Sequence, residues 1–190
     1  MTQSSGDRRR RDLLLGEWAC LGVLYQGPTH GFAVASALRP GGDLGRVWSL
    51  SRALTYRSLD QLAERGLVRA VGEEPGIAGG NRTVLAATRS GRAELRRWLA
   101  TPVEHLRDLR SELLLKLVVA QRCGVDVREM LDRQREIVAD LAVVVADAAS
   151  DDEDDDADVV TLWRRENSEA ALRFLDHLLV VPVGGGEPRR

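Results

Sequence analysis

The sequence predicts a mainly α protein: three helices, a β-hairpin and a fourth helix, then an all-helical second half. Three observations lead there. Apolar residues recur at helical spacing through most of the chain. Only one stretch, Leu67 to Ala87, has β-type patterning, and a Gly/Pro-rich tip around Pro75 to Gly80 breaks it into two strands. Capping residues (Thr29, Ser51, Thr88) precede helical runs, and glycines (Gly66, Gly124) follow them.

Residues 1–11 lack periodicity and read as a disordered arm carrying Arg8 to Arg11. Leu13 to Tyr25 is apolar almost all round, so a buried helix is expected, ended by Gly27 and Pro28. A signal peptide or membrane span is not expected here. Asp12 and Glu17 interrupt it, no small-residue cleavage site follows, and it is too short. Thr29 is the expected N-cap of a second helix, His30 to Leu38. A loop with Pro40, Gly41, Gly42 and Gly45 follows. The third helix starts at Ser51. Leu54, Leu59, Leu62 and Ala63 make its expected apolar face, and Ser51, Arg52, Thr55, Tyr56 and Ser58 lie off that face. Gly66 stops it. Strands Leu67 to Glu73 and Arg82 to Ala87 form the hairpin, and Thr88 caps a helix running to about Leu99, with Pro102 beyond.

In the second half Leu109, Leu113, Leu117 and Ala120 keep helical spacing up to Gly124. A long stripe runs through Val127, Met130, Leu131, Ile137, Val138, Leu141, Val144 and Val145. Val159, Val160, Trp163, Ala170, Phe174 and Leu178 mark a last helix whose stripe suits an antiparallel partner. Between them Asp151 to Asp158 reads as a solvated acidic link. It lacks the alternating ligands and central glycine of an EF-hand.

Charge is divided along the chain. Residues 1–100 hold 15 Arg and no Lys against 9 Asp+Glu, whereas residues 101–190 hold 12 Lys+Arg against 20 Asp+Glu. A basic first half with an acidic second half suggests that the first half alone meets a polyanion. Cys20 and Cys123 sit in apolar stretches, suggest no disulfide framework, and fit a reducing cytoplasm. His105 and His177 keep no ligand spacing with either cysteine, so no metal site is expected, and no cofactor motif is present. Nor is there a nucleophile elbow, P-loop or metalloprotease helix, which argues against an enzyme.

The order helix, helix, helix, hairpin, helix is that of a winged helix-turn-helix. The chain also resembles the PadR-like transcriptional regulators. Leu21 to Leu38 contains G-P-T-H-G-F, close to that family's G-P-x-H-G-Y. Tyr56, Leu59 and Leu62 with Glu64 to Val68 match Y-x-x-L-x-x-L followed by E-x-G-L-V. Arg82 to Leu99 matches the wing strand and the T-x-x-G-R-x-x-L-x-x-W-L helix. The chain departs from the family at Thr55, where an apolar residue is usual, at Phe32, which replaces Tyr, and at Val84 to Ala86, which lack tyrosines. The resemblance implies a C-terminal helical dimerisation region and places Tyr56 on the DNA-facing helix.

The candidate DNA-binding residues follow. Arg52 and Arg57 can reach guanine edges or phosphates, and Ser51, Thr55 and Tyr56 share their helix face. The plainer reading of that face is a solvated surface, with Tyr56 partly plugging the core. Thr29 and His30 stand at a helix start, where backbone N–H groups attract phosphate. Asn81 and Arg82 are expected at the wing tip, where an arginine can enter a narrow minor groove. Trp98 and Trp48 read as core and anchor. Trp18 and Trp163, on helices that approach the dimer interface in the resembling family, are candidates to line an effector pocket, against a plain packing role.

The expected organisation is therefore a disordered arm at 1–11, a winged helix-turn-helix at 12–101, a helical dimerisation domain at 102–181 and a disordered tail at 182–190. The expected function is a cytoplasmic homodimeric repressor on a palindromic double-stranded operator, released by a small hydrophobic or aromatic effector or another signal. The alternative is a small-molecule-binding helical dimer whose winged domain mediates protein contacts.

Overall fold

The computed structural model describes residues 13–76, 80–150 and 158–180. The arginine arm, positions 77–79 of the hairpin tip, the acidic run up to residue 157 and the C-terminal tail lie outside the described residues. The chain divides into two compact units, Met1–Leu95 and Arg96–Arg190. The division falls inside a helix, whereas the sequence reading put its boundary at residue 101.

In the first unit α1 (Leu15–Tyr25) is buried almost all round, as its composition dictates. Glu17 is itself buried, because its carboxylate accepts the Leu14 N–H at 2.8 Å and so caps the helix start. Burial, with the nearby Glu17 charge, pushes the Cys20 thiol up to about 12. Cys20 therefore stays protonated and packs as a small hydrophobe. No disulfide joins it to Cys123.

A two-residue strand β1 (Thr29–His30) precedes α2 (Gly31–Leu38). This corrects the cap assignment. Thr29 is a strand residue paired with Leu85, and His30 is the N-cap, its Nδ1 accepting the Ala33 N–H at 3.1 Å. Sheet pairing took the residue whose type best suits a cap, and the imidazole one position later does the same work. Helix α3 (Arg52–Glu64) is capped by Ser51, whose Oγ accepts the Leu54 N–H at 3.3 Å. It ends in a Schellman arrangement. Gly66, at φ +69°, donates to Ala63 O, and Leu67 N–H donates to Leu62 O.

Strands β2 (Val68–Pro75) and β3 (Asn81–Ala87) complete an antiparallel sheet of order β1-β3-β2, with a bulge between Ala70 and Gly72. Helix α4 (Arg89–Leu99) is capped as expected by Thr88, whose Oγ1 accepts the Gly91 N–H at 3.0 Å. The Thr88 hydroxyl also donates to Gly66 O, and the Thr88 backbone N–H donates to Leu67 O. The end of α3 and the start of α4 are thus tied together at the base of the hairpin. The first unit is a winged helix-turn-helix.

The second unit is helical: α5 (Leu106–Asp108), a π turn (Leu109–Leu113), α6 (Leu114–Cys123), α7 (Arg128–Ser150) and α8 (Val159–Val180). Gly124, at φ +63°, ends α6 as the sequence indicated. The π turn has no signature in the apolar spacing. Lys116, in the first turn of α6, is almost fully buried. Its ammonium donates to Thr101 O at 2.6 Å, pairs with Glu112 at 2.8 Å and lies over the Trp98 ring. Burial lowers its pKa, and the Glu112 carboxylate opposes that shift. Gln134, also buried, exchanges two hydrogen bonds with the Val103 backbone, at 2.7 and 2.9 Å. These satisfied polar groups set register inside an otherwise apolar core.

Helices α7 and α8 form an antiparallel pair. Arg128 at the start of α7 donates to Leu179 O near the end of α8, and Arg135 pairs with Asp176. Helix α8 therefore has a partner within its own chain. Of its side chains only Ser168 and Leu175 are buried. Trp163, Val159 and Val160 remain exposed, as do Val143 and Val144 on α7. Among the described residues no helix is long and apolar enough to cross a membrane.

Candidate nucleic-acid interface

Helix α3 turns its Thr55–Ser58–Leu59–Leu62 stripe inward. These positions follow i, i+3, i+4, i+7 spacing, so one face is buried. Leu59 and Leu62 are buried as expected, but the other two residues of the expected face are not. Leu54 and Ala63 are exposed, and Thr55 and Ser58 are buried. Thr55 is 0% exposed and its hydroxyl donates to Ser51 O at 3.0 Å. It cannot reach a ligand from there, so it leaves the list of candidate contacts. Its hydroxyl is satisfied within the helix, which makes its burial inexpensive.

Of the candidate contacts, Arg52, Tyr56 and Arg57 on α3 and Ser51 at its N-cap are exposed. The Ser51 hydroxyl is engaged as the cap. Arg57 is exposed. Arg52 and Tyr56 face a cleft of about 450 Å³ closed on its other sides by the start of α2 and by β3. This cleft gathers His30, Arg52, Tyr56, Asn81 and Arg82 of the sequence-derived residues. Thr29, Ser51, Thr55 and Arg57 are not among its lining residues.

Tyr56 reconciles its two readings. A Cβ on Gly31 would sit 2.8 Å from the Tyr56 ring, so the ring packs against the glycine backbone of α2. Yet Tyr56 is 38% exposed, with Arg52 5.7 Å over its ring centroid. The glycine after His30 is thus explained by a ring on another helix. Asn81 and Arg82 are not at the tip. They are the first residues of β3, opposite Pro75 and Glu74. The Asn81 amide donates to Glu73 across the ladder at 2.7 Å. Arg82 is half-buried against the cleft.

Phe32 was missed as a site residue. It is 51% exposed, it lines the cleft, and the guanidinium groups of both Arg52 and Arg82 lie over its ring at 5.7 Å. The signal was present in the sequence. Gly31, Val34, Ala35 and Leu38 form the buried stripe of α2, and a phenylalanine off such a stripe is an aromatic turned to solvent. Asp60 also lines the cleft and adds one carboxylate beside Arg52, Arg82 and the aromatic rings, with Leu59 and Leu85 as apolar wall.

The effector candidates lie in separate units. Trp18 is buried in α1, and Trp163 is exposed on α8. A second, apolar cleft of about 330 Å³ lies within the second unit, between the Leu106–Leu114 segment and α8 at Asn167 to Leu175. Neither tryptophan lines it. Among the described residues no three His, Cys, Asp or Glu side chains are grouped to hold a metal ion.

No protein-family model and no curated protein matches the chain. Among solved structures it is similar to Bacillus subtilis PadR in complex with operator DNA, at 17% identity and a TM-score of 0.44, over 86% of this chain and 97% of that one. It is also similar to smu.1604c from Streptococcus mutans UA159, at 15% identity and a TM-score of 0.42, over 88% and 100% of the two chains.

Proposed function

We propose that this protein is a PadR-like, dimeric, sequence-specific DNA-binding transcriptional regulator, acting as a repressor in the cytoplasm. The observation that carries the reading is the convergence of Arg52, Tyr56 and Arg82 on one cleft between an outward-facing helix and a wing strand. A winged helix-turn-helix lays such a helix in the major groove while its wing follows the backbone. Arginine forks then match guanine edges and phosphates. Asn81, with its amide held by Glu73, and His30 contribute at the rim. The basic first half supplies attraction and the acidic second half keeps DNA to one side.

Selection from a random duplex pool tests this directly. The recovered operator should be palindromic, with half-sites about one helical turn, roughly 34–36 Å, apart. Its affinity should fall steeply with salt, as counterions are released. An affinity indifferent to salt would favour the alternative, in which the winged unit holds a protein. Arg52→Ala should weaken operator binding by about 1–3 kcal/mol without unfolding the chain. Tyr56→Phe keeps the ring on Gly31 and removes only the hydroxyl, so its loss should be smaller. Unchanged affinity in both variants at fixed salt would sink the assignment.

A releasing signal must bind two states of the dimer with different affinity. The 330 Å³ cleft under α8 falls within the usual range of small-ligand pockets, about 300–1,000 Å³. Its wall is mostly leucine, alanine and phenylalanine, with Arg110 and Asn167 as polar handles, so the ligand is a small hydrophobic compound. Asn167 donates to the Trp163 carbonyl at 2.8 Å, which puts Trp163 one turn from the cleft. A panel of aromatic and aliphatic compounds should change Trp163 fluorescence and lower operator affinity together, and Ala171→Phe should abolish both. Binding of equal affinity with and without operator would show that the cleft does not regulate.

A further inference from the structure

We propose that Phe32 is a positioning residue that shares its ring between Arg52 on α3 and Arg82 on β3, and so couples the recognition helix to the wing. The inference rests on the DNA-binding reading above. Three elements that are distant in sequence meet at this ring. Phe32 comes from the first turn of α2, Arg52 from the first turn of α3, and Arg82 from the start of β3. Both guanidinium carbons lie 5.7 Å from the ring centroid. The His30 ring, two residues earlier in the chain, lies tilted to the Phe32 ring at 6.2 Å.

Packing does not account for Phe32. It lies off the buried stripe of its helix, and half of its surface is open to solvent. Electrostatics does account for it. Two guanidinium groups in one cleft repel each other, and the electron-rich face of an aromatic ring offsets that repulsion by attracting both. A guanidinium 5.7 Å from a ring centroid is held by attraction to the ring's π cloud and needs no hydrogen-bond acceptor from it. The N–H donors that point away from the ring stay available for phosphate or base edges. The ring therefore orders the arginines without consuming their hydrogen bonds. Ordering long side chains in advance lowers the entropy lost when DNA binds. Arg52 also lies 5.7 Å over the Tyr56 ring, but of these two rings Phe32 is the one that also meets Arg82, so it is through Phe32 that the position of each arginine depends on the other.

The test uses the full chain and a fluorescein-labelled duplex recovered from a random pool by the wild-type protein. Phe32→Leu removes the ring at an exposed position. It should weaken binding about three- to tenfold, at unchanged far-UV circular dichroism and Tm. Phe32→Tyr restores a ring face and should bring affinity back to within about twofold of wild type. A double-mutant cycle supplies the sharper readout. Arg52→Ala and Arg82→Ala should be non-additive in the wild-type background and additive in the F32L background. Wild-type affinity in F32L, no rescue by F32Y, or additivity in both backgrounds would overturn the proposal. So would an F32L chain that fails to fold, because Phe32 would then be a core residue. A wild-type chain that recovers no duplex from the pool overturns the DNA reading itself, and Phe32's role with it.

Discussion

Gly91→Ala is expected to lower the Tm of the winged-helix unit by roughly 10 °C or more. Helix propensity alone predicts the opposite, since alanine favours a helix over glycine by about 1 kcal/mol. The contact decides the sign. A Cβ at Gly91 would lie 2.2 Å from the Leu67 carbonyl oxygen and 3.1 Å from its carbon. Both are backbone atoms, and neither can rotate away. Leu67 O also accepts the Thr88 N–H at 2.9 Å, so moving it breaks the junction that joins α3, β2 and α4. Overpacking of this kind costs about 1–3 kcal/mol, and more where backbone must shift. Gly72→Ala is the control, because nothing lies within 4 Å of the added carbon. Thermal unfolding of the two variants by circular dichroism gives the comparison. A Tm for G91A at or above wild type would mean that α4 slides off the hairpin base at little cost, contrary to this account.

Charging the apolar end of the α7–α8 pair should convert the proposed dimer to a monomer and reduce operator affinity about 100-fold or more. Deleting α8 is the cruder experiment. Because α8 packs on α7, its removal would also uncover α7 and confuse unfolding with dissociation. Point substitutions avoid this. Trp163 is 55% exposed and Val160 is 48% exposed, so Trp163→Glu with Val160→Glu leaves the intrachain contact in place. The antiparallel register set by Arg128–Leu179 and Arg135–Asp176 brings Val143 and Val144 to the same end as these residues. Exposed apolar side chains gathered at one end of a helical hairpin suit an association surface. Two linked half-site contacts bind far more tightly than either alone, by about 10²- to 10⁴-fold. Sedimentation at micromolar concentration and operator titration should move together. A double variant that still sediments as a dimer would place the interface elsewhere. A monomer with undiminished operator affinity would remove the need for two half-sites.

Much of this protein is determined by its sequence read locally. Helix ends follow from single residues. Ser51 and Thr88 start helices, and Gly66 and Gly124 end them, because caps and positive φ act within one turn. The order of helices and hairpin follows from apolar period, which fixes the winged-helix class before any contact is known. The tertiary structure decided what the period leaves degenerate. Leu54 and Thr55 are adjacent on α3, and composition favours burying leucine. Packing against α1 and α2 instead buried Thr55, whose hydroxyl could be satisfied by Ser51 O. Thr29 suits a cap better than His30, yet pairing with Leu85 drew it into the sheet. Arg82 reads as a tip residue until β3 places it over Phe32. Each of these outcomes depends on a partner distant in sequence. Local spacing specifies which elements form, and long-range contacts specify which face of each is left to act.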